Sequence, residues 1–201
     1  MKAALKVALF GGTFDPIHNA HLIIAREAAK LCGLSRVLFV PASRPPHKAR
    51  GTRASYADRL RMVEIACERD PRFEASRLEE GPEYSYSIHT IEKARAELMV
   101  EIGAEIRGAV ELYFLIGADA FAEIRTWHRW MDVVQAVEFI VVSRPGAAYQ
   151  IPSGARVIRL EDLELPVSSS EIRKNVAAGL TDADLPPDVA AYIRERGIYR
   201  F

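Results

Sequence analysis

The stretch from Lys6 to Leu22 constrains this chain most. Lys6-Val-Ala-Leu-Phe10 is a short, mostly apolar run that reads as a buried strand and stops at Gly11-Gly12. Thr13-Phe14-Asp15-Pro16-Ile17-His18-Asn19-Ala20-His21-Leu22 follows. From there Leu22, Ala25, Ala29 and Cys32 recur at helical spacing, which predicts a helix over 20–31. Glycines after a strand let the backbone approach a ligand with no Cβ in the way. The helix start that follows offers N–H groups and a positive dipole end to an anion, typically phosphate. His18 and His21, three residues apart, share one side of that first turn. Neither the G-x-G-x-x-G fingerprint nor the G-x-x-x-x-G-K-[ST] loop is present, so this is a phosphate-handling loop of another kind.

Strand and helix patterns alternate along the rest of the chain, which predicts an α/β fold with a doubly wound parallel sheet. The predicted strands are 7–10, 36–40, 73–76, 112–116, 139–142 and 157–160. Predicted helices run over 20–31, from the Ser55 cap to about 69, and over 87–100. The chain ends in a small helical part, about 170–178 and 188–196, with Gly197 just past the last turn. With 201 residues, 49% of them hydrophobic, one core and one domain over 1–201 are expected. Lys plus Arg and Asp plus Glu number 27 each, which argues against a nucleic-acid or membrane-surface binder. There is no long apolar run, so no leader or membrane span is expected, and a cytoplasmic location follows. Cys32 and Cys67 read as small buried hydrophobes of a reducing compartment.

Ligands of such sheets bind beyond the carboxyl ends of the strands, where the strand order reverses. The loops expected there are 11–21, 41–48, 117–119, 143–145 and 167–173. They carry His18, His21, Lys48, Arg144, Arg173 and the hydroxyls of Thr13, Ser168, Ser169 and Ser170. No nucleophile stands in a recognisable setting: there is no G-x-S-x-G, C-x-x-C or H-E-x-x-H. Histidines at 18 and 21 with no third ligand nearby do not make a metal site. A set of cations and donors suits a reaction that needs charge stabilised rather than a proton moved. Nucleotidyl transfer onto a phosphate is such a case, because a phosphate monoester (second pKa about 6) is already largely a dianion at neutral pH. Catalysis then comes down to positioning and to neutralising charge.

At this point the residues resemble a family. Gly11 through His21 resembles the G-x-F-D-P-x-H-x-G-H signature of the nucleotidyltransferase superfamily, with Ala20 in place of its last glycine. Val167-Ser-Ser-Ser-Glu-Ile-Arg173 resembles its second motif, I-S-S-T-x-I-R, with Ser170 in place of threonine. Several further stations are similar to the nicotinate-nucleotide adenylyltransferases in particular. They are Pro41-Ala-Ser-Arg-Pro-Pro-His-Lys48, Asp58-Arg59-Leu60-Arg61-Met62-Val63, Phe114-Leu-Ile-Gly-Ala-Asp119, Trp127, Ser143-Arg144-Pro145-Gly146 and the tail from Leu185 to Tyr199.

The resemblance implies a Rossmann-like nucleotidyltransferase fold and Mg²⁺-dependent adenylyl transfer from ATP to nicotinate mononucleotide. Gly11, Gly12, Thr13, Phe14, His18, His21, Gly117, Asp119, Ser169, Ser170 and Arg173 are implied to hold ATP. His18, His21, Lys48 and Arg173 are the implied catalytic residues. Lys48, Tyr86, Ser87, Asp119, Trp127 and Arg144 are implied to meet the mononucleotide, with Trp127 stacked on the pyridine ring and the Tyr86–Ser87 turn reading its carboxylate. Asp15 is expected to accept backbone N–H groups, and Trp130 to be core. A homo-oligomer is compatible with this reading, which does not specify one. The competing readings are nicotinamide mononucleotide as acceptor, another acceptor such as phosphopantetheine, a cytidylyltransferase, and a silent nucleotide-binding regulator.

Overall fold

In the computed structural model the described residues are 4–45, 51–103, 110–143, 149–161, 163, 165–180 and 183–200. The elements run β1 (Leu5–Gly12), α1 (Asn19–Cys32), β2 (Arg36–Pro41), α2 (Tyr56–Cys67), β3 (Phe73–Ala75), α3 (Ser87–Ile102) and β4 (Val110–Gly117). Then come α4 (Ala118–Ala122), a 3₁₀ turn (Ile124–Thr126), α5 (Trp130–Ala136), β5 (Glu138–Val142), β6 (Arg156–Leu160), α6 (Ser169–Ala177) and α7 (Pro187–Arg196). The six predicted strands are all present, as are the five predicted helices. The helices α4 and α5 were not anticipated, since five and seven residues show too little of a helical period to stand out.

The six strands form one parallel sheet in the order β3-β2-β1-β4-β5-β6. The chain winds outward from β1 through β2 to β3, then restarts on the other side of β1 with β4. Because side chains alternate along a strand, each strand feeds two cores. Ala8, Phe10, Val37, Phe39, Tyr113, Leu115 and Ile140 face the layer of α1, α2, α6 and α7. Val7, Leu9, Leu38, Val40, Leu112, Phe114, Phe139 and Val141 face the layer that holds α3, α4 and α5. Ile172 of α6 and Val189 and Ile193 of α7 belong to the first core, so the C-terminal helical part packs on the sheet. Gly197 closes α7 at φ 62, a left-handed position that glycine takes without Cβ strain.

Cys67 is buried at the end of α2, and burial pushes its thiol up to about 12, so it is an inert apolar group. Cys32, at the end of α1, is half-buried rather than buried, and both cysteines are free. Trp130 is likewise only half-buried, as the first residue of α5.

Candidate active site

The strand order reverses between β1 and β4, and the cleft lies beyond their carboxyl ends, as the doubly wound arrangement requires. It measures about 630 Å³ and is lined by His18, Ala20 and His21 from the first loop, Gly117 and Asp119 after β4, and Ser143 after β5. Leu163, Leu165 and Val167 add an apolar wall. Four of the five predicted loops thus meet here, the serine segment through its first residue, Val167. The described part of the 41–48 loop does not line the cleft. Its Ala42 N–H donates to the Gly12 carbonyl (2.8 Å), and Arg44 turns toward Ser85 and Tyr84. Lys48 and Arg144 lie outside the described residues.

His18 is the N-cap of α1 and His21 its third residue. Their rings stack with centroids 3.7 Å apart and an interplanar angle of 26°. The His18 backbone N–H donates to Nδ1 of His21 (3.2 Å). With Nδ1 accepting, the neutral ring of His21 carries its proton on Nε2. Burial among the rings of Phe10 and Phe14, and then the neighbouring His18, hold the His21 pKa well below its usual range. His21 is therefore a neutral N–H donor at pH 7. The sequence reading had counted both imidazoles among the cations, and packing corrects that for His21.

The two glycines have different reasons to be glycine. A Cβ on Gly12 would lie 3.0–3.3 Å from the Phe14 ring, whereas on Gly11 it would make only an ordinary contact, 3.7 Å from Phe114. Phe14 itself has φ 47, a strained value for a bulky residue. Its ring is 2% exposed, packed against Phe10, Phe39 and His21. Burying such a ring contributes roughly 1.5–3 kcal/mol, which offsets a backbone strain of order 1–3 kcal/mol. Gly12 is thus shaped by the protein's own core, and Phe14 has only its backbone to offer a ligand.

Ser168 caps α6 and accepts the Ser170 N–H (3.2 Å). The Ser169 hydroxyl donates to the Pro16 carbonyl (3.3 Å). Arg173 donates to the Asp15 carbonyl (2.6 Å) and to the Ser170 hydroxyl (3.0 Å), so the second motif is bonded directly onto the first. Thr13 sits between Gly12 and Phe14, and its carbonyl accepts from Arg59 (2.6 Å). The Asp15 carboxylate accepts backbone N–H groups, not those of its own loop but those of Arg53 (2.7 Å) and Ala54 (3.0 Å), at the far end of the basic loop 41–54, which carries Arg44, His47, Lys48, Arg50 and Arg53.

A second corner forms around the start of α3. Tyr86 is the N-cap of this helix and Ser87 its first residue, so first-turn N–H groups point out here. The Tyr86 ring lies over His128 (4.5 Å, 34°), next in sequence to Trp127. Trp127 is half-buried with its ring against Phe114 (5.9 Å, 71°). The structure thus brings the Tyr86–Ser87 turn and the Trp127 segment together.

Sequence reasoning gave no role to Arg59, which is 1% exposed, or to Tyr199, whose hydroxyl donates to Asp15 (2.7 Å). Arg59 had left a trace: it lies at helical spacing with the buried Met62, Val63 and Ala66, a cation on an apolar stripe. Tyr199 had only its place in the family-like tail, with nothing local to link it to a partner 184 residues away.

Comparison with known proteins agrees with this geometry. A family model described as Cytidylyltransferase-like matches residues 9–175. A protein of Solibacter usitatus named "Probable nicotinate-nucleotide adenylyltransferase" is 59% identical over 97% of this chain and 100% of its own. One of the same name from Pelobacter propionicus is 39% identical over 97% and 98%. In fold, the chain is similar to the Plasmodium falciparum nicotinic acid mononucleotide adenylyltransferase complexed with NaAD. That similarity has a TM-score of 0.75 and 20% identity, and covers 97% of each chain. With this sheet order, this cleft and full-length identity of that size, the chain belongs to the nicotinate-nucleotide adenylyltransferase family.

Proposed function

We propose that this enzyme transfers the adenylyl group of ATP to nicotinate mononucleotide, giving deamido-NAD and pyrophosphate. A phosphate oxygen of the mononucleotide forms a bond to the α-phosphorus of ATP while the bond to the bridging oxygen of pyrophosphate breaks. No proton has to move, because the attacking phosphate is largely dianionic and pyrophosphate leaves as an anion. The protein's task is to hold the two phosphates in line and to meet the charge that spreads over them. The carrying observation is the His18–His21 pair at the start of α1, with its Nε2–H donor held in place by a backbone bond and its rings opening on the cleft.

In this reading ATP lies along Gly11, Gly12, Thr13 and the backbone of Phe14, with its ribose toward Gly117 and Asp119. Ser169, Ser170 and Arg173 add donors on its phosphates. Two of the Arg173 N–H donors already anchor it to Asp15 and Ser170 among the described residues, which leaves the rest of its fork for an anion. Mg²⁺ enters with ATP as part of that substrate and neutralises the leaving pyrophosphate. Among the described residues no three His, Cys, Asp or Glu side chains gather to hold a metal, and Mg²⁺ commonly keeps phosphates and waters as its ligands. Lys48 and Arg144 are assigned to the mononucleotide's phosphate. The turn at Tyr86 and Ser87 reads its carboxylate through the N–H groups of Ser87 and Ile88, since the Tyr86 N–H donates to the Tyr84 carbonyl (2.9 Å), and Trp127 takes the cationic pyridine ring. A cytoplasmic place is proposed on the two free thiols. No described helix is long and apolar enough to cross a membrane.

The test is pyrophosphate release with MgATP and either nicotinate or nicotinamide mononucleotide. A strong preference for the acid is expected. Comparable rates would make the enzyme dual-specific. No release with either would overturn the reading and bring forward another acceptor, such as phosphopantetheine.

A further inference from the structure

The Asp15 carboxylate, 5% exposed, is a junction of three segments far apart in the chain. Oδ2 accepts the Arg53 N–H (2.7 Å), and Oδ1 accepts both the Ala54 N–H (3.0 Å) and the Tyr199 hydroxyl (2.7 Å). The backbone on either side is tied as well. The carbonyl of Asp15 holds Arg173, and that of Thr13 holds the buried Arg59 (each 2.6 Å). Arg53 and Ala54 close the loop that carries Lys48, so the root of that loop and the turn before His18 share one carboxylate.

The backbone marks the same place. Among the described residues three non-glycines have positive φ, and two of them are Phe14 (φ 47), beside Asp15, and Tyr199 (φ 67), its hydroxyl donor. Such conformations persist only where the surroundings over-determine them. Tyr199 lies past the end of α7, in a short tail with no regular structure to hold it. Its ring is 7% exposed in the core below the loop, so its hydroxyl has one direction to point. Burial, and then the neighbouring Asp15, push its pKa up, so it stays a neutral donor.

We infer that Tyr199 is a positioning residue: through Asp15 its hydroxyl sets the Thr13–Asp15 turn and the root of the basic loop in one arrangement. This rests on the reading of the cleft as a nucleotidyl-transfer site. A turn held this way places His18 and the Arg173 fork together, and small displacements of such groups cost rate more than binding.

The experiment compares Tyr199→Phe with Tyr113→Phe. The second removes a hydroxyl from β4 that bonds Glu111 (3.0 Å), away from the loop. In Tyr199→Phe, kcat is expected to fall about tenfold with both KM values within about twofold. Amide exchange at Arg53 and Ala54 is expected to speed up about tenfold, the scale of one lost buried hydrogen bond. Tyr113→Phe should change neither. A Tyr199→Phe enzyme that loses thermal stability but keeps kcat and wild-type exchange would overturn the inference and leave Tyr199 as packing only. If wild type itself released no pyrophosphate, the transfer reading would fall. Amide exchange alone would then decide the coupling: acceleration at Arg53 and Ala54 supports it, wild-type exchange overturns it.

Discussion

The phosphate end of the cleft and the corner at the start of α3, whose Tyr86, Ser87 and Trp127 do not line that cleft, are built differently. At the phosphate end, Asp15, His18 and Arg59 are all under a tenth exposed, and the carbonyls of Thr13 and Asp15 and the Asp15 carboxylate are bonded to distant segments. At the α3 end the holding contacts lie near the surface. Arg44 sits over the Tyr84 ring (4.2 Å), Tyr84 is 46% exposed, and the Tyr86 ring rests on the exposed His128. The contrast fits the work proposed for each. Stabilising charge in a transition state needs donors that do not reorganise, so they are set in a core. Choosing between two acceptors needs a few donors and one ring, which a rim of loops can supply.

The largest effect should come from the buried end. His18→Ala is expected to lower kcat by about 10²–10³-fold while the KM for the mononucleotide stays within about twofold. Steady-state kinetics in both substrates would show this, and equal losses in kcat and affinity would erase the contrast. Next comes the rim: Trp127→Ala should raise the KM for the mononucleotide by roughly 2–30-fold, the range of 0.5–2 kcal/mol for a cation over a ring. ATP should be little affected, and an unchanged KM for the mononucleotide removes Trp127 from the site.

A third experiment reads the phosphate end through its protons. The folded His21 pKa is depressed, so below the unfolded value of about 6.5 the unfolded chain binds more protons than the folded one. Stability should therefore rise with pH up to about 6.5 and gain nothing more from this group above it. The difference in Tm between wild type and His21→Asn across that window isolates the effect, and a difference that is flat with pH would mean that His21 is not held neutral. The smallest effect is expected at Ala20, which is 4% exposed on the cleft wall. Ala20→Gly should leave the KM for ATP unchanged or lower it, at a stability cost of roughly 0.5–1 kcal/mol. A large rise in that KM would show that the methyl group is part of the nucleotide site.

The strands were legible because a fully buried parallel strand is a continuous apolar run, as in Val7–Phe10 and Leu112–Ile116. The loop after β1 was legible because glycines, a proline and two histidines crowd between a strand and a helix. The stretch after β4 was poorly legible, since α4, the 3₁₀ turn and α5 are each too short to show a period. The sequence pointed to Gly12 for its backbone near a ligand, and a local pattern cannot show that the Phe14 ring also leaves no room there for a Cβ.

By itself, then, the sequence determined the layered α/β plan and the strand end that carries the site, because turn residues and hydrophobic period are local properties, and its motifs gave the family of chemistry by resemblance. Only the tertiary structure decided that His21 is a neutral donor, since its charge depends on the stacked His18 and the rings around it. It alone also joined Arg173 and Tyr199 to Asp15, across 158 and 184 residues, because nothing short of the folded core brings groups so far apart in the chain within hydrogen-bonding distance.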